Sequence, residues 1–131
     1  MKTLDENGKM QPSALWRRGV VLPLSAEAAD SVRGWAVDET TAVEYLPLAT
    51  EAACSELFAL GLISGINEAC GSLIGDYESE CLQPHQFTVA EKVIREWHRR
   101  WPTGESGEFA AKLLALIGRA RELGQPLYFV F

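Results

Sequence analysis

At 131 residues, the chain has the length of one domain and enough material to bury a core without disulfides or metal. Its 47% apolar fraction excludes wholesale disorder, and 18 acidic against 12 basic side chains, a formal charge of −6, argue against the basic surface of a nucleic-acid binder. Nowhere do ~18 consecutive apolar residues occur, so no membrane-spanning helix is expected.

The chain is expected to be a single globular domain over 1–131, with 1–14 a loose arm or weak hairpin around the turn signal Glu6-Asn7-Gly8-Lys9. The opening residues lack the apolar run of a secretory signal, and the three cysteines are an odd count. Both features fit reduced thiols in a cytoplasmic protein. Gly19-Val20-Val21-Leu22-Pro23 predicts a short strand that Pro23 ends or holds at an edge. Ser25 predicts the N-cap of a helix reaching Gly34 or Ala36. Thr41-Ala42-Val43-Glu44 matches a capping box for one short turn before Pro47. Thr50 caps the next helix, which bends at Gly61 because each glycine costs ~1 kcal/mol of helix propensity against alanine.

The stretch Ile66 to Leu82 is the expected centre of the fold. On a helical projection Ile66, Cys70, Leu73, Ile74, Tyr77 and Cys81 share one side, while Gly71, Ser72, Gly75 and Ser79 form a small side suited to close packing. Pro84 stops that helix. Thr88-Val89-Ala90-Glu91 predicts a capping box, with Ala90, Val93, Ile94, Trp97 and Trp101 on one apolar face. Three pairs four apart, Glu91–Arg95, Lys92–Glu96 and Glu96–Arg100, line its polar side. Ser106 opens the last helix and Gly124 fits its C′ position. Leu127 to Phe131 predicts a buried terminal strand beside Val20 to Leu22. The class is therefore mostly α with a minor β element (α+β). About five helices pack around a central helix near 66–82, with two short strands near 19–23 and 127–131.

Asp76, Glu78 and Glu80 are the candidate partner-binding residues. On the helical projection Glu80 falls at the edge of the apolar arc, where a carboxylate needs a cation such as Arg17, Arg18, Arg95 or Arg99. A structural ion pair or a solvated helix end explains the same acids without any partner. Cys81-x-x-x-His85 resembles a pair of metal ligands, but Pro84 intervenes and no second pair has zinc-site spacing. Trp97-His98-Arg99-Arg100-Trp101 mixes aromatics with positive charge, yet four-residue spacing assigns both tryptophans to packing. Neither GxGxxG, GxxxxGK[ST] nor GxSxG occurs. No catalytic residue, metal or cofactor is expected.

The run Ile74-Gly75-Asp76-Tyr77-Glu78-Ser79-Glu80-Cys81-Leu82, then a helix, then a last helix leading into Leu127-Tyr128-Phe129-Val130-Phe131, resembles the small acidic bacterial immunity proteins of polymorphic or contact-delivered toxin systems. The resemblance spans about residues 60 to 131. It implies a non-enzymatic cytoplasmic inhibitor, monomer or homodimer, that binds one cognate toxin, with Asp76 and Glu78 facing a basic toxin surface. A scaffold or accessory subunit of a larger bacterial assembly is the alternative. A small enzyme is the third reading, and a polar cleft lined by titratable groups would revive it.

Overall fold

Four short strands drawn from across the chain meet in one antiparallel sheet. The computed structural model describes residues 18–131 except 35, 39, 49, 73 and 75–78, and at 79 and 80 the backbone alone. The arm and turn expected within 1–14 lie outside the described residues. Strands β1 (Gly19–Pro23), β2 (Val43–Pro47), β3 (Ser79–Leu82) and β4 (Leu127–Val130) stand in the order β2-β1-β4-β3. As expected, β1 and β4 are neighbours, with Val20 opposite Phe129. β2 and β3 were not expected as strands.

Side chains alternate across a strand, so each strand feeds both faces of the sheet. Val20, Leu22, Leu82, Leu127 and Phe129 point into the main core. There they meet α2 (Glu51–Ala59), α3 (Leu62–Cys70), α4 (Phe87–Arg100) and α5 (Gly104–Leu123). Val21, Tyr128 and Val130 take the other face, with Cys81 beside them, and pack against Val32 of α1 (Ala26–Arg33) and Val37. Among the described residues the result is a helical layer, a sheet, and one short helix on the far side. No helix among the described residues is long and apolar enough to cross a membrane.

The caps explain several boundaries. Ser25 Oγ accepts from the Ala28 N–H at 3.0 Å, and Thr50 Oγ1 from the Ala53 N–H at 3.1 Å. Gly61 adopts a left-handed conformation (φ 85°) and separates α2 from α3, the bend read from the sequence. Trp97 Nε1 donates to the Leu60 carbonyl at that bend, 3.1 Å away, which ties α4 to the α2–α3 corner. Gly124 ends α5 at φ 65°, and the Gln125 N–H returns to the Ala120 carbonyl at 3.0 Å, a Schellman closure that launches β4.

The expected central helix near 66–82 is corrected: helix α3 ends at Cys70, and Ser79–Leu82 is a strand. Gly71 supplies the stop, with a left-handed φ of 67° and no atom within 4 Å of where a Cβ would stand. It serves chain reversal, not close packing. Asn67 then fastens the reversal. Its Oδ1 accepts from Ser72 Oγ and from the Ile74 N–H, both at 2.8 Å, and its Nδ2 donates to the Ile74 carbonyl at 2.8 Å. Gly65 does mark close packing, since a Cβ there would lie 3.1 Å from Val93 Cγ1 of α4.

Smaller corrections follow from the same pairing. Thr41 to Glu44 forms no helical turn, because Val43–Pro47 pairs with β1 along its length. α4 starts at Phe87, not at a Thr88 box: a 3₁₀ turn over Pro84–Gln86 precedes it, closed by the Gln83 N–H donating to Gln86 Oε1 at 2.8 Å. α5 starts at Gly104, two residues ahead of Ser106, which is buried inside its first turns. Trp101 leaves the apolar face and stands 43% exposed at the end of α4. Of the three pairs expected on α4, only Glu91–Arg95 is an ion pair, at 3.6 Å. Glu91 is buried and also accepts from Arg121 of α5, so it joins two helices where a solvated pair was expected.

Candidate functional site

α1 buries Ala28, Ala29 and Val32, and its alanines are too short to fill the angle between the helix and the β3–β4 end of the sheet. A cleft of about 340 Å³ remains there. Ala26, Ala29, Asp30 and Arg33 of α1 form one wall; Cys81, Gln83, Gln125, Pro126 and Tyr128 form the other. The last group comes together because β3 and β4 are antiparallel, with Cys81 opposite Tyr128 and Leu82 opposite Leu127. One step beyond Leu82–Leu127, the chain runs through Gln83-Pro84 on one side and Gln125-Pro126 on the other. Proline cannot extend the ladder, and so both glutamines sit where the sheet stops.

The polar groups in the cleft interlock. Arg33 Nη2 lies 2.8 Å from Asp30 Oδ1, an exposed i,i+3 pair with side chains 65% and 73% accessible. An exposed pair of this kind contributes about 0–1 kcal/mol and exchanges readily with solvent or ligand. The neighbouring Tyr128 phenol, ahead of Asp30, raises the guanidinium's pKa further above the usual range. Tyr128 is only 8% exposed. Burial pushes its phenol above the ordinary 10.0, opposed by the nearby Arg33 guanidinium. Gln83 Nε2 donates to Cys81 Sγ at 3.4 Å.

Chemically, the cleft offers donors. Arginine has no acceptor, the phenol stays protonated through the neutral range, and each glutamine carries an NH₂ group. Asp30, the one carboxylate, is already engaged by Arg33. The cleft does hold titratable groups, the feature that would revive an enzymatic reading. The one it buries most deeply, the Tyr128 phenol, holds its proton more tightly than an ordinary tyrosine.

The elevated phenol has a measurable consequence. Folded Tyr128 keeps its proton more tightly than an unfolded tyrosine, so in that range the native state binds more protons than the unfolded state. Stability from this group is complete below pH 10.0 and falls as pH rises above it towards the folded value. Tyr128→Phe is therefore expected to flatten the alkaline limb of a stability-versus-pH curve above pH ~10. Equal slopes in variant and parent, read by urea titration, would contradict the assignment.

The residues singled out in the sequence fall differently. Asp76 and Glu78 lie outside the described residues, and Glu80 is placed by its backbone in β3, opposite Phe129. Arg18, considered as a partner for Glu80, reaches Glu51 Oε1 at 3.0 Å and Cys54 Sγ at 3.2 Å. His85 sits in the exposed 3₁₀ turn and His98 half-buried on α4. Among the described residues no three of His, Cys, Asp and Glu assemble into a metal-holding group. Arg33, Tyr128, Gln83 and Gln125 were not singled out in the sequence. The repeated Gln-Pro dipeptide and the one hydroxyl in Leu127-Tyr128-Phe129-Val130-Phe131 are the signals that could have found them.

No protein-family model, curated protein or solved structure matches this chain.

Proposed function

We propose that the chain is a non-enzymatic, protein-binding inhibitor of the immunity type, acting in the cytoplasm by docking on one cognate bacterial toxin. The supporting observation is how its charge is carried. Glu27, Glu56, Glu68, Glu96, Glu108 and Glu122 are all exposed, and none of them forms an ion pair with another described residue. The carboxylates that do pair across the fold, Glu44 with Arg119 and Glu91 with Arg121, fasten it together. These six carboxylates put negative charge on the described surface of a chain whose formal charge is −6, and such charge draws a basic partner into encounter and disfavours acidic ones.

The test begins with the neighbouring reading frame. Its C-terminal domain, expressed alone, is expected to stop growth, and co-expression of this chain to restore it through a complex that co-purifies. Charge reversal at Asp76→Lys with Glu78→Lys is expected to leave the fold intact and slow association about tenfold at low salt, with the difference shrinking as salt rises. A neighbour with no effect on growth, or growth arrest that co-expression leaves unchanged, would refute the proposal.

A further inference from the structure

The cleft between α1 and the β3–β4 end carries an inference that does not depend on the identity of any toxin. Its donors rest on poor or shared acceptors. The Arg33 guanidinium can only donate, and the Tyr128 phenol, which lines the same cleft, carries a donor as well. The Cys81 sulfur in the same lining receives Gln83 Nε2 at 3.4 Å. Sulfur is a weak hydrogen-bond acceptor. The Gln83 amide thus donates to a thiol in the lining of a 340 Å³ cleft that Arg33, Tyr128 and Gln125 share. Arg33 stands in the same lining, and its ion pair with Asp30 is an exposed, exchangeable contact.

A carboxylate answers each of these features. Its two oxygens match the fork of a guanidinium, and its lone pairs accept from the phenol and the amide far better than a thiol does. Gln125, on the same wall, offers a further amide. Phosphate would meet the same donors but brings a second negative charge towards Asp30. A carbonyl amide accepts but lacks the charge that Arg33 selects. We propose that this cleft is a binding site for a single carboxylate, held by Arg33 and the Tyr128 phenol with the Gln83 amide at its side. The carboxylate can be carried by a small organic acid or by the C-terminal end of a peptide.

The experiment is an NMR titration of the full chain, following the Arg33 Nε–H and Tyr128 ring signals. Four probes are used: succinate, inorganic phosphate, a Gly-Gly-Ala tripeptide with a free C-terminal carboxylate, and the same tripeptide as its C-terminal amide. Saturable shifts are expected with succinate or the free-acid tripeptide at a Kd at or below about 1 mM, and whichever binds more tightly identifies the source of the carboxylate. Arg33→Gln, on the exposed side of a surface helix, should weaken that binding about tenfold or more, and Tyr128→Phe by several-fold. Absence of saturable shifts with both carboxylates would overturn the assignment. So would amide or phosphate binding as tight as the acid, or an Arg33→Gln protein that binds unchanged.

Discussion

Phe129→Ala is expected to lower the unfolding free energy by about 3–5 kcal/mol, the range for deleting a fully buried aromatic ring. The side chain is completely buried on the core face of β4, one of the two inner strands. It stands opposite Val20 of β1, and its ring meets Phe131 edge-on at 6.0 Å. Removing it opens a cavity where sheet and helical layer meet, and native domains of this size have only about 5–15 kcal/mol to lose. In a urea titration the midpoint should fall sharply with little change in slope. A loss below ~1 kcal/mol would mean that the ring does not fill this core.

Gly107→Ala should also destabilise, although alanine is the better helix former by ~1 kcal/mol. Gly107 lies in the first turns of α5, pressed against the turn that follows α4. A Cβ there would stand 2.5 Å from the Pro102 carbonyl carbon, 2.7 Å from its oxygen and 2.8 Å from the Trp101 oxygen. All three are backbone atoms, which cannot swing aside as a side-chain tip can, so the overpacking cost of about 1–3 kcal/mol prevails over propensity. Gly118 is the internal control. It sits in the same helix with nothing within 4 Å of a Cβ, and Gly118→Ala should stabilise by about 0.5–1 kcal/mol. Thermal denaturation of both variants checks the opposite signs; the same sign at both positions would contradict this packing.

Much of the architecture is legible where local chemistry and tertiary context agree. Ser25, Thr50 and Gly124 act as read, because a cap depends on neighbours a few residues away. The aromatic terminal strand and its pairing with β1 follow from β-branched and aromatic composition with no polar face to solvate. The stretch from Ile66 to Leu82 misleads for a definite reason. A short apolar set fits a helical spacing and an alternating one over a few residues, and Gly71 fits both close packing and a left-handed stop. Only Asn67, bonding the backbone beyond that stop, decides between them, and side-chain hydrogen bonds of that kind leave no periodic trace. Glu91 shows the same limit. Its spacing to Arg95 suggested a solvated pair, whereas Arg121 from a helix thirty residues away makes it a buried link. The cleft was hidden for the same cause. Arg33, Cys81 and Tyr128 become neighbours only once β3 exists and pairs with β4.

Everything said of the cleft thus rests on Ser79–Leu82 being a strand, and NMR reads that directly. Cross-strand contacts between the backbones of Ser79 and Val130 and of Cys81 and Tyr128, with extended-chain couplings at both Glu80 and Cys81, are the result this fold requires. Helical contacts three residues apart running unbroken from Ile66 through Leu82 would contradict it, restoring the single helix and removing the wall on which the site is built.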